Sequence, residues 1–190
     1  MTLLFLPLVI SLFYWVRRHY HSVAVASQCT VPLEPRKAGS PPIVVVPLEH
    51  WNKSKQALEF ARRISSEVIG VHVEPGEKEQ AALLEADWER YVAGPCLESG
   101  EVRPTLKILA PPYRFVVVPV VQFVLELAEQ NPERQIVVVI PELVEEKWYE
   151  YVLHNQRARL LEWTLLAKGN GRIFTVASPY YLSTATRPVR

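Results

Sequence analysis

Polar side chains set among apolar ones are where this chain could do chemistry, and they fall in four places. Tyr113 and Arg114 follow Pro111 and Pro112, directly beyond the apolar run Thr105 to Leu109. A guanidinium there can pair with phosphate while the adjacent ring stacks on a base, because its planar fork matches two phosphate oxygens. An ordinary surface ion pair is the competing reading. His154, Asn155 and Gln156 interrupt the apolar stripes of Trp148 to Ala167, WYEYVLHNQRARLLEWTLLA. They either satisfy backbone groups and one another or order a ligand or an interface. Glu49 and His50 follow another apolar run and could form an acid and base pair, but adjacent loop residues usually point apart, which favours a plain surface loop. Tyr180 follows the last apolar run, between Pro179 and Tyr181.

None of these clusters is a catalytic constellation. The sequence holds no GxSxG, GxxxxGK[ST] or GxGxxG, so the nucleophile elbow and the common phosphate cradles are missing and no enzymatic activity is expected. Cys29 and Cys96 lack CxxC spacing and nearby paired histidines. They read as two incidental thiols, and no metal or cofactor is expected. Lys and Arg number 21 against 20 Asp and Glu, a net charge of +1, which leaves no basic footprint for nucleic acid. Gly169-Asn170-Gly171 reads as a helix stop and tight turn, with an anion nest as the alternative.

The elements that position these residues follow from periodicity. Ile43 to Val46, Glu67 to Val73, Thr105 to Leu109, Gln135 to Ile140 and Arg172 to Ala177 are short apolar runs. The first and fourth are rich in β-branched residues and closed by Pro47 and Pro141. Between the runs, Trp51 to Ser65, Glu77 to Val92, Phe115 to Glu129 and Trp148 to Ala167 repeat at helical spacing. Gly94 and Pro95 are expected to end the second helix, and Pro119 falls in the first turn of the third. The alternation predicts an α/β fold, a three-layer sandwich with a five-stranded parallel sheet covered on both faces. A chain of 190 residues, 49% of them apolar, can build one such core. Ligands of these sheets lie beyond the carboxyl ends of the strands at the switch point. Leu48 to His50, Pro111 to Arg114, Glu142 and Leu143, and Pro179 to Tyr181 would be delivered there.

The stretch from Trp148 to Ala167 carries two apolar stripes at about 100° per residue. Tyr149, Val152, Leu153, Leu160, Trp163 and Ala167 form one, with Gln156 inside it, and Tyr151, Ala158, Leu161 and Leu165 form the other, with His154 inside it. Two stripes predict a helix covered twice, by its own sheet and by a partner such as a second subunit. Gln156 is expected on the sheet side, and His154, Leu161 and Leu165 on the partner side.

Leu3 to Val16 is free of charge, carries Tyr14 and Trp15 at its edge and ends in Arg17, Arg18 and His19, as a membrane segment leaving the bilayer on the cytoplasmic side does. A signal peptide would carry its basic residues before the apolar run, not after it. The run is shorter than the roughly 20 residues of a full span, which is explained if Met1 falls inside the last transmembrane helix of a longer polypeptide. Residues 1–21 are therefore expected to anchor the chain to the membrane. Residues 22–42 read as a proline-rich linker with Arg36 and Lys37 near an anionic leaflet, 43–182 as the α/β domain and 183–190 as a frayed tail.

Several segments resemble one family, the C-terminal cytosolic domains of amino-acid/polyamine/organocation (APC) superfamily permeases, which include bacterial potassium importers. They are Arg18-His19-Tyr20 with Val23-Ala24, Ile43 to Pro47, Pro112-Tyr113-Arg114, Trp148 with Leu153 to Gln156, and Pro179-Tyr180-Tyr181-Leu182. The resemblance implies a universal-stress-protein-like domain that pairs as a homodimer beneath a transporter in the bacterial inner membrane, and that in some members binds cyclic di-AMP to inhibit uptake. On that basis Arg114 would hold phosphate, Tyr113 or Tyr180 would stack on a base, and His154, Asn155 and Gln156 would order the site or the interface. A purely structural dimerisation module without a ligand is the alternative. The chain lacks the GxxGx9G[ST] loop of ATP-binding universal stress proteins. Pro141 to Glu145 stands in its place, so ATP binding of that type is not expected.

Overall fold

A computed structural model describes residues 2–28, 32, 41–49, 51–74, 78–111, 116–144 and 156–181. The chain divides into two compact units, Met1–Ala38 and Gly39–Arg190.

In the first unit Thr2–Ala26 form α1, a helix of 25 residues with Pro7 inside it. It does not stop at Arg17 and Arg18. Trp15 stacks on His19 one turn later, ring centroids 6.2 Å apart, and the Ser27 hydroxyl donates to the Val23 carbonyl at 2.7 Å where the helix ends. Among the described residues no helix is long and apolar enough to cross a membrane. The charge-free part of α1 ends at Val16, and Arg17, Arg18, His19 and His21 make its second half polar. The expected anchor therefore has a helix in its place but not the apolar length of a span. Most of the expected linker lies outside the described residues.

The second unit is an α/β domain. Its elements are β1 (Ile43–Leu48), α2 (Trp51–Ile64), β2 (Val68–Val73), α3 (Lys78–Trp88), a π-helical turn (Glu89–Ala93), α4 (Gly94–Glu98), β3 (Thr105–Leu109), α5 (Val117–Gln130), β4 (Ile136–Val144), α6 (Gln156–Lys168) and β5 (Ile173–Tyr181). The five strands make one parallel sheet in the order β3-β2-β1-β4-β5, as the alternation of apolar runs and helices predicts.

Both faces of the central strands are buried, which is why their sequences are continuously apolar rather than alternating. Ile43 and Val45 of β1 join Val71, Ile136, Val138 and Ile140 in a core covered by Val120, Val121 and Val124 of α5 and Leu161 and Leu165 of α6. Val44, Val46 and Leu48 face the opposite way, into a core closed by Ala57, Leu58 and Ala61 of α2 and by Trp88, Val92 and Ala93.

Two boundaries differ from the sequence expectation. Gly94 and Pro95 do not end the helix that begins at Lys78. Instead the Gly94 N–H reaches back to the Glu89 carbonyl in the π-helical turn, and Pro95 opens α4, where a missing N–H costs nothing. A side chain at Gly94 would have its Cβ 2.9 Å from that same carbonyl oxygen, so the turn needs a glycine. The second difference is the helix face. Leu161 and Leu165 are buried against the sheet, whereas Leu160 and Trp163 are 57% and 76% exposed and Gln156 is exposed. The two stripes of the last helix are therefore assigned the wrong way round by periodicity: the Ala158, Leu161 and Leu165 stripe is the core face. The turn at its end is as expected, with Gly169 N–H bonded to the Leu165 carbonyl at 2.7 Å and Gly171 at φ 69°.

Candidate functional site

The carboxyl edge of the sheet is set by where its ladders stop. β1 pairs with β4 only at Ile43 with Ile136, Val44 with Val137 and Val45 with Val138. Beyond that, β1 stays with β2 as far as Leu48 opposite His72, and β4 stays with β5 as far as Val144 opposite Tyr181. The sheet thus parts between its first and fourth strands, the point where the strand order reverses and where ligands of such sheets bind.

Proline is the physical cause. In a parallel ladder each residue turns its N–H and C=O to one neighbour, and successive residues turn to opposite neighbours. Ile43 N–H bonds the Gln135 carbonyl at 3.0 Å on the β4 side and Val44 N–H the Glu67 carbonyl at 3.0 Å on the β2 side. By alternation Val45 and Pro47 face β4. Ile136 N–H bonds the Arg172 carbonyl at 2.9 Å on the β5 side, so Val137, Val139 and Pro141 face β1. Both prolines place their missing donor on the side of the parting. Pro179, by the same count, faces the open edge of β5, where no donor is needed. The sequence expectation that Pro47 and Pro141 close their strands is therefore corrected: the strands run through them, and only the β1–β4 ladder closes. Glu142, Leu143, Pro179, Tyr180 and Tyr181 accordingly lie within strands, not in loops after them.

Around this parting the described residues on the α2 side of the sheet include Leu48, His72, Glu74, Pro141, Leu143, Ser178 and Tyr180, placed by two-residue alternation with Val44, Val46, Gly70, Val139 and Val176. Leu48, Glu74, Leu143 and Ser178 are buried. Tyr180 is half-buried and sits opposite Leu143 in register. His72 Nδ1 lies 2.8 Å from the Leu48 carbonyl oxygen. Since a carbonyl only accepts, Nδ1 carries the hydrogen, and in the neutral ring Nε2 is an acceptor. Glu74 extends the β2–β3 ladder through its N–H, bonded to the Leu109 carbonyl at 2.9 Å. Its Oε1 is buried and has no hydrogen-bond partner among the described residues.

Of the residues singled out from the sequence, Tyr180 is placed at this edge and Gln156 opens α6, exposed. His50, Pro112, Tyr113, Arg114, His154 and Asn155 lie outside the described residues. His72 and Glu74 were missed, although they carried a signal: two polar residues two positions apart close a strand that is otherwise apolar.

The opposite edge of the sheet is built differently. Arg134 donates from Nε and Nη2 to the Pro41 carbonyl at 3.1 and 2.8 Å and pairs through Nη1 with Glu67 at 2.6 Å, tying together the segments that lead into β1, β2 and β4. Arg172 Nη1 donates to the Asn131 and Pro132 carbonyls at 3.1 and 2.6 Å. The amino edge is clamped by satisfied guanidiniums; the carboxyl edge holds the parting and a carboxylate oxygen with no partner among the described residues.

Residues 40–178 match the family described as the KimA potassium transporter C-terminal domain. The chain is also similar to the potassium transporter KimA of Bacillus subtilis (strain 168), 31% identical over 183 residues, which cover 94% of this chain and 28% of that protein. The chain thus spans less than a third of the length of this relative. On the extent of the family match, and on a likeness that runs through almost the whole chain, it belongs to the family of KimA potassium transporter C-terminal domains.

Proposed function

We propose that this chain is the cytosolic regulatory part of an APC-type permease, held at the bacterial inner membrane by α1, and that its universal-stress-protein-like domain works as a homodimer and senses a nucleotide such as cyclic di-AMP. The observation that carries the reading is the parting of β1 from β4 at the switch point, maintained by two prolines and flanked by the half-buried ring of Tyr180. Family membership supports the link to potassium transport, and the ion moved belongs to the longer relative's name. In this reading Arg114 holds phosphate, Tyr113 or Tyr180 stacks on a base, and His154, Asn155 and Gln156 order the site or the dimer contact. The domain regulates and performs no catalytic step of its own. Calorimetric titration of the full chain in detergent with cyclic di-AMP is the test. Saturable binding that Arg114→Ala weakens is expected, and no heat at high micromolar nucleotide refutes the sensing role.

A second reading, a dimerisation module without a small-molecule ligand, is favoured by one observation. Leu160, Trp163 and Leu166 are all more than half exposed on α6, an apolar surface that a second subunit would cover. A dimer that persists unchanged while no nucleotide binds would favour it over the first.

A further inference from the structure

Among the described residues the end of β2 places acceptors on one face. With His72 neutral, its ring hydrogen on Nδ1 is committed to the Leu48 carbonyl and Nε2 is an acceptor, and Glu74 follows on the same face with Oε1 buried and without a partner among the described residues. Glu74 is 9% exposed, and its N–H is bonded to the Leu109 carbonyl of β3. Buried polar atoms in folded proteins nearly always have a partner, and an exception asks for something the isolated chain does not supply. Acceptors two positions apart on one face disfavour phosphate and favour an N–H. This excludes the β2 end as the phosphate contact and separates it from the role given to Arg114.

We infer that Glu74 is the acceptor for an exocyclic amine of the bound nucleobase, with His72 positioning it by fastening the end of β1 to β2. The inference rests on the nucleotide reading above and adds the group that tells one base from another. A carboxylate oxygen held in a buried site discriminates against a base that presents a carbonyl where the amine should be, because two acceptors would then face each other with no proton between them.

The test uses the full chain in detergent and two nucleotides, cyclic di-AMP and its inosine counterpart, in which a carbonyl oxygen replaces each amine. The unsubstituted protein is expected to prefer cyclic di-AMP by at least about tenfold. Glu74→Gln, whose amide can donate as well as accept, is expected to weaken cyclic di-AMP binding and erase most of that preference. An undiminished preference in Glu74→Gln overturns the assignment while leaving the nucleotide reading intact. Failure of the unsubstituted protein to bind either nucleotide refutes both. Thermal unfolding without ligand gives an independent check, because a carboxylate whose buried Oε1 has no partner among the described residues should cost little to neutralise. Glu74→Gln is expected to hold or raise the unfolding temperature, and a fall of several degrees would show that the carboxylate is structural.

Discussion

Pro47 in β1 and Pro141 in β4 turn the donor-less side of their backbones into the same gap, just past the last β1–β4 pair, Val45 with Val138. Placed elsewhere in a central strand, either would break a ladder that the core needs. Here the break is what opens the switch point. The variant Pro47→Val with Pro141→Val restores both N–H groups without changing the apolar character of the strands. It is expected to gain slow-exchanging amides at both positions and to bind cyclic di-AMP at least tenfold more weakly, with stability changed by less than about 1 kcal/mol. Hydrogen exchange and nucleotide titration read the two effects. Unchanged affinity alongside the new protected amides would show that the gap is not where the ligand sits.

Gly70 is the second backbone position with a definite requirement. A methyl group there would stand 2.6 Å from Cη2 of Trp88 and 2.9 Å from Cδ1 of Leu48, since the indole lies directly over the strand. Gly70→Ala should destabilise the domain by about 1–3 kcal/mol through overpacking. Trp88→Leu in the same chain should restore part of the loss, because the two sites share one volume and their effects cannot add. Urea unfolding of the four combinations measures the coupling; strict additivity would mean that the ring simply moves aside.

Much of this fold is legible in the sequence because the central strands are buried on both faces, so Ile43 to Val46 and Gln135 to Ile140 announce themselves by composition alone. The strand ends were less legible for a specific reason. Proline forbids a hydrogen bond on one side only, and which side it faces depends on register, which the sequence does not display. The faces of α6 were ambiguous for another reason: both stripes are apolar, so hydrophobicity cannot rank them. The stripe that packs is the one in which Ala158 precedes Leu161 and Leu165. The bulky Trp163 belongs to the other. At the site, Tyr180 could be placed at the carboxyl edge from order alone. His72 and Glu74 take their weight only from the structure, which pairs one with the Leu48 carbonyl and leaves Oε1 of the other buried without a partner among the described residues.

Arg134 should matter more to stability than its place near the chain surface suggests. Its side chain is only 18% exposed and meets both the Pro41 carbonyl and Glu67, whose own side chain is 50% exposed. Arg134→Ala is expected to cost about 1–3 kcal/mol, since charged hydrogen bonds to backbone are lost. Glu67→Ala should cost less than about 1 kcal/mol, because an exposed carboxylate gains little from its pair. Arg134→Lys should recover only part of the loss, as a single ammonium cannot hold the carbonyl and the carboxylate in the same fork geometry. Equal losses for Arg134→Ala and Glu67→Ala in chemical denaturation would place the energy in the ion pair instead of the backbone clamp.

The two faces of α6 give opposite predictions for two residues only two positions apart. Leu161 is 5% exposed within the core, so Leu161→Ala should destabilise the domain by about 2–5 kcal/mol through lost burial and the cavity left behind. It should do so whether the chain is monomeric or dimeric. Trp163 is 76% exposed, so in an isolated domain Trp163→Ser removes almost no buried contact and should shift stability by no more than about 0.5 kcal/mol. If α6 presents that face to a second copy, the same substitution removes a large aromatic from the interface, where such residues often dominate the energy. Sedimentation of Trp163→Ser should then show monomers at concentrations where the unsubstituted chain is dimeric. An unchanged dimer would move the subunit contact away from this face of α6. A monomer produced by Leu161→Ala alone, with its fold intact, would instead restore the face assignment that periodicity first suggested.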